Sequence, residues 1–322
     1  MTGSRRADVF GPLLGVALLA CSSNVSAQAW LPGAGEGAVS VLYQNSLVDR
    51  HLGSDGSRID SGTIRVDGLL LDVTYGVTEK IALTLNVPFL AAKYEGVKPH
   101  PNSPIDDGRL HGAFQDLRFD VRYNVVTAPF AITPFVATVL PSHDYQYYGH
   151  AAVGRDLNEV QVGAYVARVL DPFIPGAFVQ GRYAYGFTQQ LFDISHNRSM
   201  LDLELGYFVS PKLRTFGLAT GQITHGGVEL IGAFPFNLPT EQIVHHDQIS
   251  RVNMLDLGGG AQLSLTPSMD VFGSVLHTMS GTNGHALSYL VTVGASWTFH
   301  ANAMRRTRAE HSLIRCLCEK GK

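Results

Sequence analysis

Charge is scarce in this chain of 322 residues, because Asp, Glu, Lys and Arg together make up only 16% of it. An ordinary soluble domain contains roughly 25%. The formal net charge is −3, which gives no reason to expect nucleic acid as a partner. Long apolar runs are also missing: beyond the first thirty residues, none reaches the ~18 residues that a membrane-spanning helix needs. The sequence therefore excludes a helical membrane protein.

Cysteine is nearly absent as well. The chain has three, Cys21, Cys316 and Cys318, so residues 28–299 contain none and cannot form disulfides. Glycine and aromatic residues are abundant instead, with 34 Gly, 16 Phe and 12 Tyr. This composition excludes disorder and collagen-like structure. An exported protein of this kind has to be stabilised by its own hydrogen-bonded architecture.

The N-terminal 27 residues have the layout of a secretory signal peptide. Arg5 and Arg6 form a positive segment, an apolar core runs from Phe10 to Ala20, and small residues precede an expected cleavage site before Gln28. An alternative is a lipoprotein signal with acylation of Cys21. Both interpretations predict export from the cytoplasm.

The last 23 residues form a separate compositional segment. Residues 300–322 carry six basic and two acidic side chains. A disordered basic extension in the periplasm is the simpler interpretation. Metal binding or an intermolecular disulfide through Cys316 and Cys318 is the alternative. The expected division is a signal peptide at 1–27, a body at 28–299 and a basic tail at 300–322.

Alternation of apolar and polar residues dominates the body. In the segment from Asp116 to Asn124, apolar side chains occupy every second position and polar or charged ones occupy the others. Twelve such strands are predicted, near residues 38–47, 63–76, 81–94, 112–125, 128–141, 158–170, 176–187, 198–209, 213–224, 248–264, 269–279 and 286–299. The predicted connections alternate between long polar loops and brief turns. An even number of strands connected in this way predicts an all-β fold: an antiparallel up-and-down transmembrane β-barrel of about twelve strands.

Aromatic residues near the predicted short turns support a membrane barrel. They are expected to form a girdle at the lipid interface. These residues are Tyr75, Tyr123, Tyr207, Trp297 and Phe299. A soluble antiparallel sandwich also has alternating strands, but it gives no reason for long and short connections to alternate.

Several short segments resemble an outer-membrane family associated with the MetA pathway of phenol degradation. They are Tyr75 to Leu83, Asn86 to Phe89, Phe114 to Arg118 with Tyr123, and Thr138 to Ser142 with Asp144. The resemblance implies a barrel transporter for aromatic or other hydrophobic compounds. Two features depart from the family pattern: Gln115 stands where a glycine is usual, and the chain continues for 23 residues beyond Phe299.

The polar face of the strands is expected to line the lumen. Its charged members are Asp72, Asp116, Arg118, Asp120, Arg122, Arg182, Asp202, Glu204 and Asp256. Cross-strand ion pairs between Arg182 and Asp202 or Glu204 are plausible. The set is interpreted either as a polar constriction that orients solutes or as a network that simply fills a narrow lumen.

Ten of the thirteen histidines fall in or beside the predicted long loops. They are His51, His100, His111, His143, His150, His196, His225, His245, His246 and His285. A metal site that used His245, His246 and Asp247 would need ligands from other loops, which the sequence cannot show. Solvated loop histidines are therefore expected, with no metal and no cofactor.

An apolar run lies inside the longest loop and is a candidate lid over the lumen. Its main residues are Leu230, Ile231, Phe234 and Phe236. Packing of this loop against its neighbours or the rim is the simpler interpretation.

Two other functions compete with transport. One is an adhesive or structural barrel with a blocked lumen. The other is an enzyme of the outer-membrane phospholipase type, but Ser142, His143 and Asp144 are consecutive and should diverge. His277 and Ser280 should lie on opposite faces of their strand, and no lipase or metalloprotease motif is present.

The sequence thus predicts a non-enzymatic barrel of the cell outer membrane that passes small hydrophobic or aromatic compounds. The expected partners are outer-membrane lipid, those solutes and the barrel-assembly machinery, without nucleic acid.

Overall fold

A computed structural model describes residues 29–59, 62–97, 100, 102–232 and 236–301 of the chain. The expected signal peptide with Cys21, and the tail beyond residue 301 with Cys316 and Cys318, lie outside the described residues. Strands dominate the described part. No helix in it is long and apolar enough to cross a membrane.

The strands follow one another along the chain, interrupted by two short helices. The first seven strands are β1 (Glu36–Leu52), β2 (Arg58–Ile59), β3 (Thr63–Thr78), β4 (Ile81–Glu95), β5 (His111–Phe114), β6 (Leu117–Tyr123) and β7 (Ala131–Leu140). The others are β8 (Glu159–Val169), β9 (Ala177–Thr188), β10 (His196–Phe208), β11 (Leu213–Gly226), β12 (Asn253–Thr266), β13 (Met269–Thr282) and β14 (Gly284–His300). The helices α1 (Thr240–Val244) and α2 (His246–Ile249) lie between β11 and β12.

The sheet closes on itself. With β5 left aside, consecutive strands from β3 to β14 pair antiparallel. β1 pairs with both β3 and β14. β2 is a two-residue extension paired with β1, while β5 and β6 both pair with β4 and form one wall strand. The wall therefore has twelve antiparallel strands. The predicted fold class is confirmed. A predicted start at residue 248 is wrong, because residues 246–249 form α2 and β12 begins at Asn253.

The two ends of the barrel differ. At one end, here called the turn end, brief connections join strands, as from Thr78 to Ile81 and from Thr266 to Met269. The opposite end, here called the loop end, carries the long connections between β4 and β5, β7 and β8, and β11 and β12. β1 begins at the turn end, and β14 ends there.

The outer surface of the wall is apolar. Outward side chains alternate with buried ones, so β3 exposes Leu69 and Leu71, and β10 exposes Leu201, Leu203 and Leu205. Soluble monomers rarely expose apolar patches larger than a few hundred Å². Hydrocarbon around the wall would remove this surface from water. The strands also pair one another's backbone groups, as a structure in lipid requires.

The segment before β1 enters the barrel at the turn end. The backbone NH of Gly35 donates to the carbonyl oxygen of Gly76 at 2.8 Å. Further back, the carbonyl oxygen of Ala29 accepts from Thr133 Oγ1 at 2.6 Å and Asn124 Nδ2 at 3.3 Å. Ala29 is buried beside inward residues of β7 and β8, so this segment lines the inner wall and reduces the opening at the turn end.

Close packing across the wall predicts an effect of substituting Gly163 on β8. A methyl group there would lie 2.0 Å from the Tyr183 carbonyl oxygen and 2.9 Å from the Phe135 ring. Gly163→Ala should lower the free energy of unfolding by about 1–3 kcal/mol, the usual cost of overpacking. Urea unfolding in lipid vesicles, followed by tryptophan fluorescence, measures the change.

Gly217→Ala on β11 is the matched control, because nothing lies within 4 Å of a methyl group there. Equal unfolding midpoints for the two variants would contradict the packing of β8 against β9 described above.

Candidate functional site: barrel interior and loop end

All nine charged residues predicted to line the lumen lie on the inner side of the wall. Asp72, Asp116, Asp120, Arg122, Glu204 and Asp256 are buried, while Arg118, Arg182 and Asp202 are partly buried. The inward charges are concentrated on one half of the wall. We call this half the ionic wall and define it by Arg118, Asp120, Arg122, Glu159, Gln161, Arg182, Arg198, Asp202 and Glu204.

Asp120 is the anionic centre of the first part of the ionic wall. Its carboxylate accepts a two-pronged contact from Arg122, with Nε at 2.8 Å and Nη2 at 3.2 Å, and a further hydrogen bond from Arg118. Arg118 also approaches Asn86 Oδ1 at 3.4 Å, and Asn86 donates to Asp72. Two-pronged contacts of this kind fix the guanidinium plane, so these groups have defined positions.

Gln161 connects this part to the next strands. Its Oε1 atom accepts from Arg182 Nη2 at 2.7 Å and lies 3.5 Å from Arg118 Nε. The predicted pair of Arg182 and Asp202 is present at 2.8 Å. Glu204 does not pair with Arg182. It accepts from Gln180 Nε2 at 2.7 Å and faces Arg214 Nη1 at 3.5 Å.

The most buried ion pair of the ionic wall was missed by the sequence analysis. Glu159 is 2% exposed and Arg198 is 1% exposed. Arg198 donates to both oxygens of Glu159, at 2.7 and 3.0 Å, and Arg155, Gln161 and Thr188 add further donors. The alternation on β10 places Arg198 on the same face as Asp202. The alternating pattern alone could therefore have identified Arg198 as an inward residue.

Aromatic rings support the guanidinium groups. The Phe135 ring lies between Arg118 and Arg182, whose Cζ atoms are 5.6 and 5.2 Å from its centroid. Arg122 lies over Tyr165 at 4.6 Å. Both rings are buried. Because the negative face of an aromatic ring attracts a cation, these rings hold the arginines toward the interior as well as filling space.

An apolar cluster occupies part of the opposite half of the interior. Inward side chains of β1, β3, β4, β11, β13 and β14 pack together in it, and buried polar side chains such as Ser40, Gln44 and Asp72 lie on the same strands. We call this cluster the apolar wall and define it by Leu42, Ile64, Val66, Leu70, Leu90, Phe216, Phe272 and Leu287. At the loop end the same cluster includes Ile105, Tyr145, Ala151 and Val153.

Histidines gather at the loop end rather than facing solvent. The expectation of solvated loop histidines is wrong for His51, His100, His150, His196 and His246, which are all buried. Five rings contact one another: His100 with His150 at 4.3 Å and with His246 at 5.1 Å, and His285 with His51 at 4.4 Å and with His150 at 5.4 Å between centroids. The loops that carry His100, His150 and His246 fold inward over the barrel mouth, where they meet His51 at the end of β1 and His285 at the start of β14.

The candidate lid residues divide into buried and exposed positions. Leu230 and Phe236 are buried, and Ile231 is 54% exposed. Phe234 lies outside the described residues. The Leu230 backbone NH donates to Asn283 Oδ1 at 2.8 Å, and its carbonyl accepts from Ser54 NH at 3.1 Å. The loop is thereby attached to two other connections at the loop end.

The five expected girdle residues lie close to the turn end of the wall. Tyr123, Tyr207 and Trp297 are exposed, while Tyr75 and Phe299 are partly exposed. Registers align them around the wall, because Gly37 pairs with both Tyr75 and Phe299, and Ile81 pairs with Tyr123.

Both serine and histidine pairs considered for an enzyme differ from expectation. Ser142 Oγ and His143 Nδ1 are 2.9 Å apart and do not diverge, although the hydroxyl also donates to the Phe114 carbonyl at 2.7 Å. A bulge in the pairing of β12 with β13 leaves both His277 and Ser280 exposed. His277 Nδ1 contacts the Ser288 carbonyl at 2.8 Å. Among the described residues, neither pair is extended by a carboxylate into a catalytic triad.

Comparisons with known proteins identify the fold. No family model and no curated protein matches the chain. Among solved structures, the COG4313 outer membrane channel from Pseudomonas putida F1 is similar at 15% identity and a TM-score of 0.64, covering 84% of this chain and 97% of that one. The CymD monoaromatic hydrocarbon channel is similar at 10% identity and a TM-score of 0.45, covering 90% and 95%. The chain thus shares its barrel fold with the Pseudomonas protein.

The burial of Glu159 predicts a large effect of neutralising it. Glu159→Gln leaves the Arg198 guanidinium buried without a counter-charge, so the free energy of unfolding should fall by about 3–5 kcal/mol. Glu229→Gln is the control, since its pair with Arg251 at 2.7 Å is more than 40% exposed on both sides and should contribute about 0–1 kcal/mol. Urea midpoints in vesicles compare the two. Equal midpoints would contradict a structural role for the Glu159 pair.

Proposed function

We propose that the protein is a channel of the cell outer membrane for passive passage of small hydrophobic or aromatic compounds. The observation that carries the proposal is the apolar wall. It continues from Ile105 and Tyr145 at the loop end, past Leu90 and Leu70, to Phe216 and Phe272 near the turn end. These side chains are buried against one another, so a small apolar solute would pass by displacing them and would meet apolar contacts along the cluster.

The membrane assignment rests on the outer surface. Leu205 is 59% exposed and Trp297 is 60% exposed, which is unfavourable in water but suits a bilayer. Wall strands such as β7 with ten residues and β1 with seventeen reach the length of about 9–11 residues that tilted membrane strands need in hydrocarbon. We assign residues 1–27 to export, the aromatic residues near the turn end to the lipid interface, and the barrel-assembly machinery to insertion. The loop end then faces outside, and the tail 300–322 extends into the periplasm.

The ionic wall is assigned the role of a constriction. Its charges are balanced and mutually hydrogen-bonded, so they provide a fixed polar surface opposite the apolar wall. Binding sites for small molecules combine mostly apolar lining with a few oriented polar groups. A phenolic hydroxyl could contact the fixed polar groups while the ring follows the apolar wall. The lining needs no cofactor for this activity.

The similar Pseudomonas protein is named as an outer membrane channel, which agrees with the proposal. Passage of aromatic compounds is also what the resemblance to the phenol-degradation family implies. In this interpretation, Leu230, Ile231 and Phe236 belong to a lid that solutes pass on entry.

Uptake of labelled phenol by porin-deficient Gram-negative cells tests the proposal, with the full chain expressed in their outer membrane. Expression should raise the initial uptake rate. Leu70→Asn should lower that gain about 5- to 150-fold, because an unpaired amide in an apolar site costs about 1–3 kcal/mol. The conservative variant Leu70→Met should retain uptake. Heat-modifiable migration in gels verifies that each variant is folded.

Two results would overturn the proposal. One is uptake no faster than in cells without the protein, although the folded barrel is present, which would favour a blocked, adhesive barrel. The other is equal uptake by Leu70→Asn and the unmodified protein, which would mean that the solute does not pass along the apolar wall.

A further inference from the structure

Four side chains from three segments converge at the loop end. His100 comes from the connection between β4 and β5, His246 and Asp247 from the region of α2, and His285 from the start of β14. One ligand atom from each of His100, His246 and Asp247 lies within 4.8 Å of the others. His285 Nε2 is 3.4 Å from Asp247 Oδ1. The geometry points to a binding site for one divalent transition-metal ion such as Zn²⁺, made by the imidazoles of His100 and His246 and the carboxylate of Asp247, with His285 beside the carboxylate.

The distances fit metal ligands better than hydrogen bonds. Asp247 Oδ1 lies 3.4 Å from the Nε2 atoms of both His246 and His285, and Asp247 Oδ2 lies 4.0 Å from His100 Nε2. Charge-assisted hydrogen bonds are shorter, at about 2.7–2.9 Å. Ligand atoms about 2.0–2.1 Å from a tetrahedral Zn²⁺ are separated by about 3.3 Å. His246 and Asp247 are therefore spaced as two ligands of one ion, and His100 offers a ligand atom within 4.8 Å of both.

Two of the imidazoles are oriented by second contacts. His100 Nδ1 lies 3.0 Å from Asp106 Oδ2, and the other Asp106 oxygen accepts from Ala151 NH at 3.1 Å. His246 Nδ1 lies 2.6 Å from the Ile243 carbonyl oxygen. Metal-bound histidines commonly donate their second ring nitrogen in this way to a carboxylate or backbone carbonyl, which fixes the tautomer and aims the other nitrogen at the metal.

Two further buried imidazoles border the site. His51 is 2% exposed and His150 is 5% exposed. Within the described residues, His51 Nε2 and both ring nitrogens of His150 have no hydrogen-bond partner. Leaving such atoms unpaired costs free energy. A metal with its bound water or an alternative ligand arrangement would provide partners for them.

The local charge agrees with a dication. Asp247 in the site and Asp106 behind His100 supply two negative charges, which together balance a divalent ion in a buried environment.

A metal bound here would connect segments that otherwise meet only through noncovalent packing. It would attach the loop carrying His100 to the α2 segment over the mouth, and the contact of His285 with Asp247 at 3.4 Å would join β14 to the same site. Phe236 packs against His51 and His246, at 5.8 and 5.5 Å between centroids, so the candidate lid would be held by the same ion. This inference is independent of which solute, if any, passes through the barrel.

Titration of the full-length, metal-stripped protein with Co²⁺ and Zn²⁺ tests the site. We expect one equivalent of Co²⁺ to give the strong visible absorption of a tetrahedral site, Zn²⁺ to displace it, and Zn²⁺ to raise the thermal unfolding temperature. His246→Ala should abolish the spectrum. Asp106→Asn, which changes only the group behind His100, should weaken binding about 10- to 100-fold.

His245→Ala is the matched control, because the adjacent His245 stacks on Tyr147 at 5.0 Å and contacts Gln248. It should bind Co²⁺ like the unmodified protein. Absence of tetrahedral Co²⁺ absorption in the folded, unmodified protein would overturn the inference. Equal binding by His246→Ala and His245→Ala would also overturn it. Neither result depends on phenol uptake, so the two proposals fail separately.

Discussion

Pairing of β1 with β14 is the interaction on which the rest of the structure depends. It closes the sheet, so each wall strand has a hydrogen-bonding neighbour on both sides. With the backbone satisfied in this way, the outer surface can be apolar without exposing peptide groups to lipid. Closure also removes freedom from the side chains, because each one points either in or out, except where a bulge intervenes. The chemistry of the interior therefore follows directly from the register.

The interior buries charged side chains in the ionic wall and packs apolar side chains in the apolar wall. Buried charges are tolerated only when several partners surround them. Chains of contacts supply these partners, as from Asp72 on β3 through Asn86 on β4 to Arg118 and Asp120 of the ionic wall. Such a network is rigid because each member has neighbours on adjacent strands. The apolar wall needs no such network and forms by packing. The proposed channel would therefore favour solutes that themselves have both a polar and an apolar surface.

Alternation in the sequence was sufficient to predict the strands, and it put the nine charged residues on the face whose side chains are buried or partly buried. It was not sufficient to predict the apolar wall. On β3, Asp72 and Leu70 share the inner face while Leu71 lies outside, so apolar residues occur on both faces and the pattern shows only the outer one. The bulge near Met279 was also hidden. An extra residue in a strand exchanges the inward and outward faces for the residues that follow it, and nothing in the local sequence marks that position.

The loop histidines were misjudged for a more general reason. A polar segment between two predicted strands is interpreted as a solvated loop when only the sequence is considered. In a closed barrel, however, all connections on one side converge on a single mouth, and residues as far apart in sequence as His100, His246 and His285 become neighbours. The ring of strands sets that proximity, and the loops then bury one another's side chains. Polar residues in the long loops of a narrow barrel are thus better treated as members of one shared site than as separate surface positions.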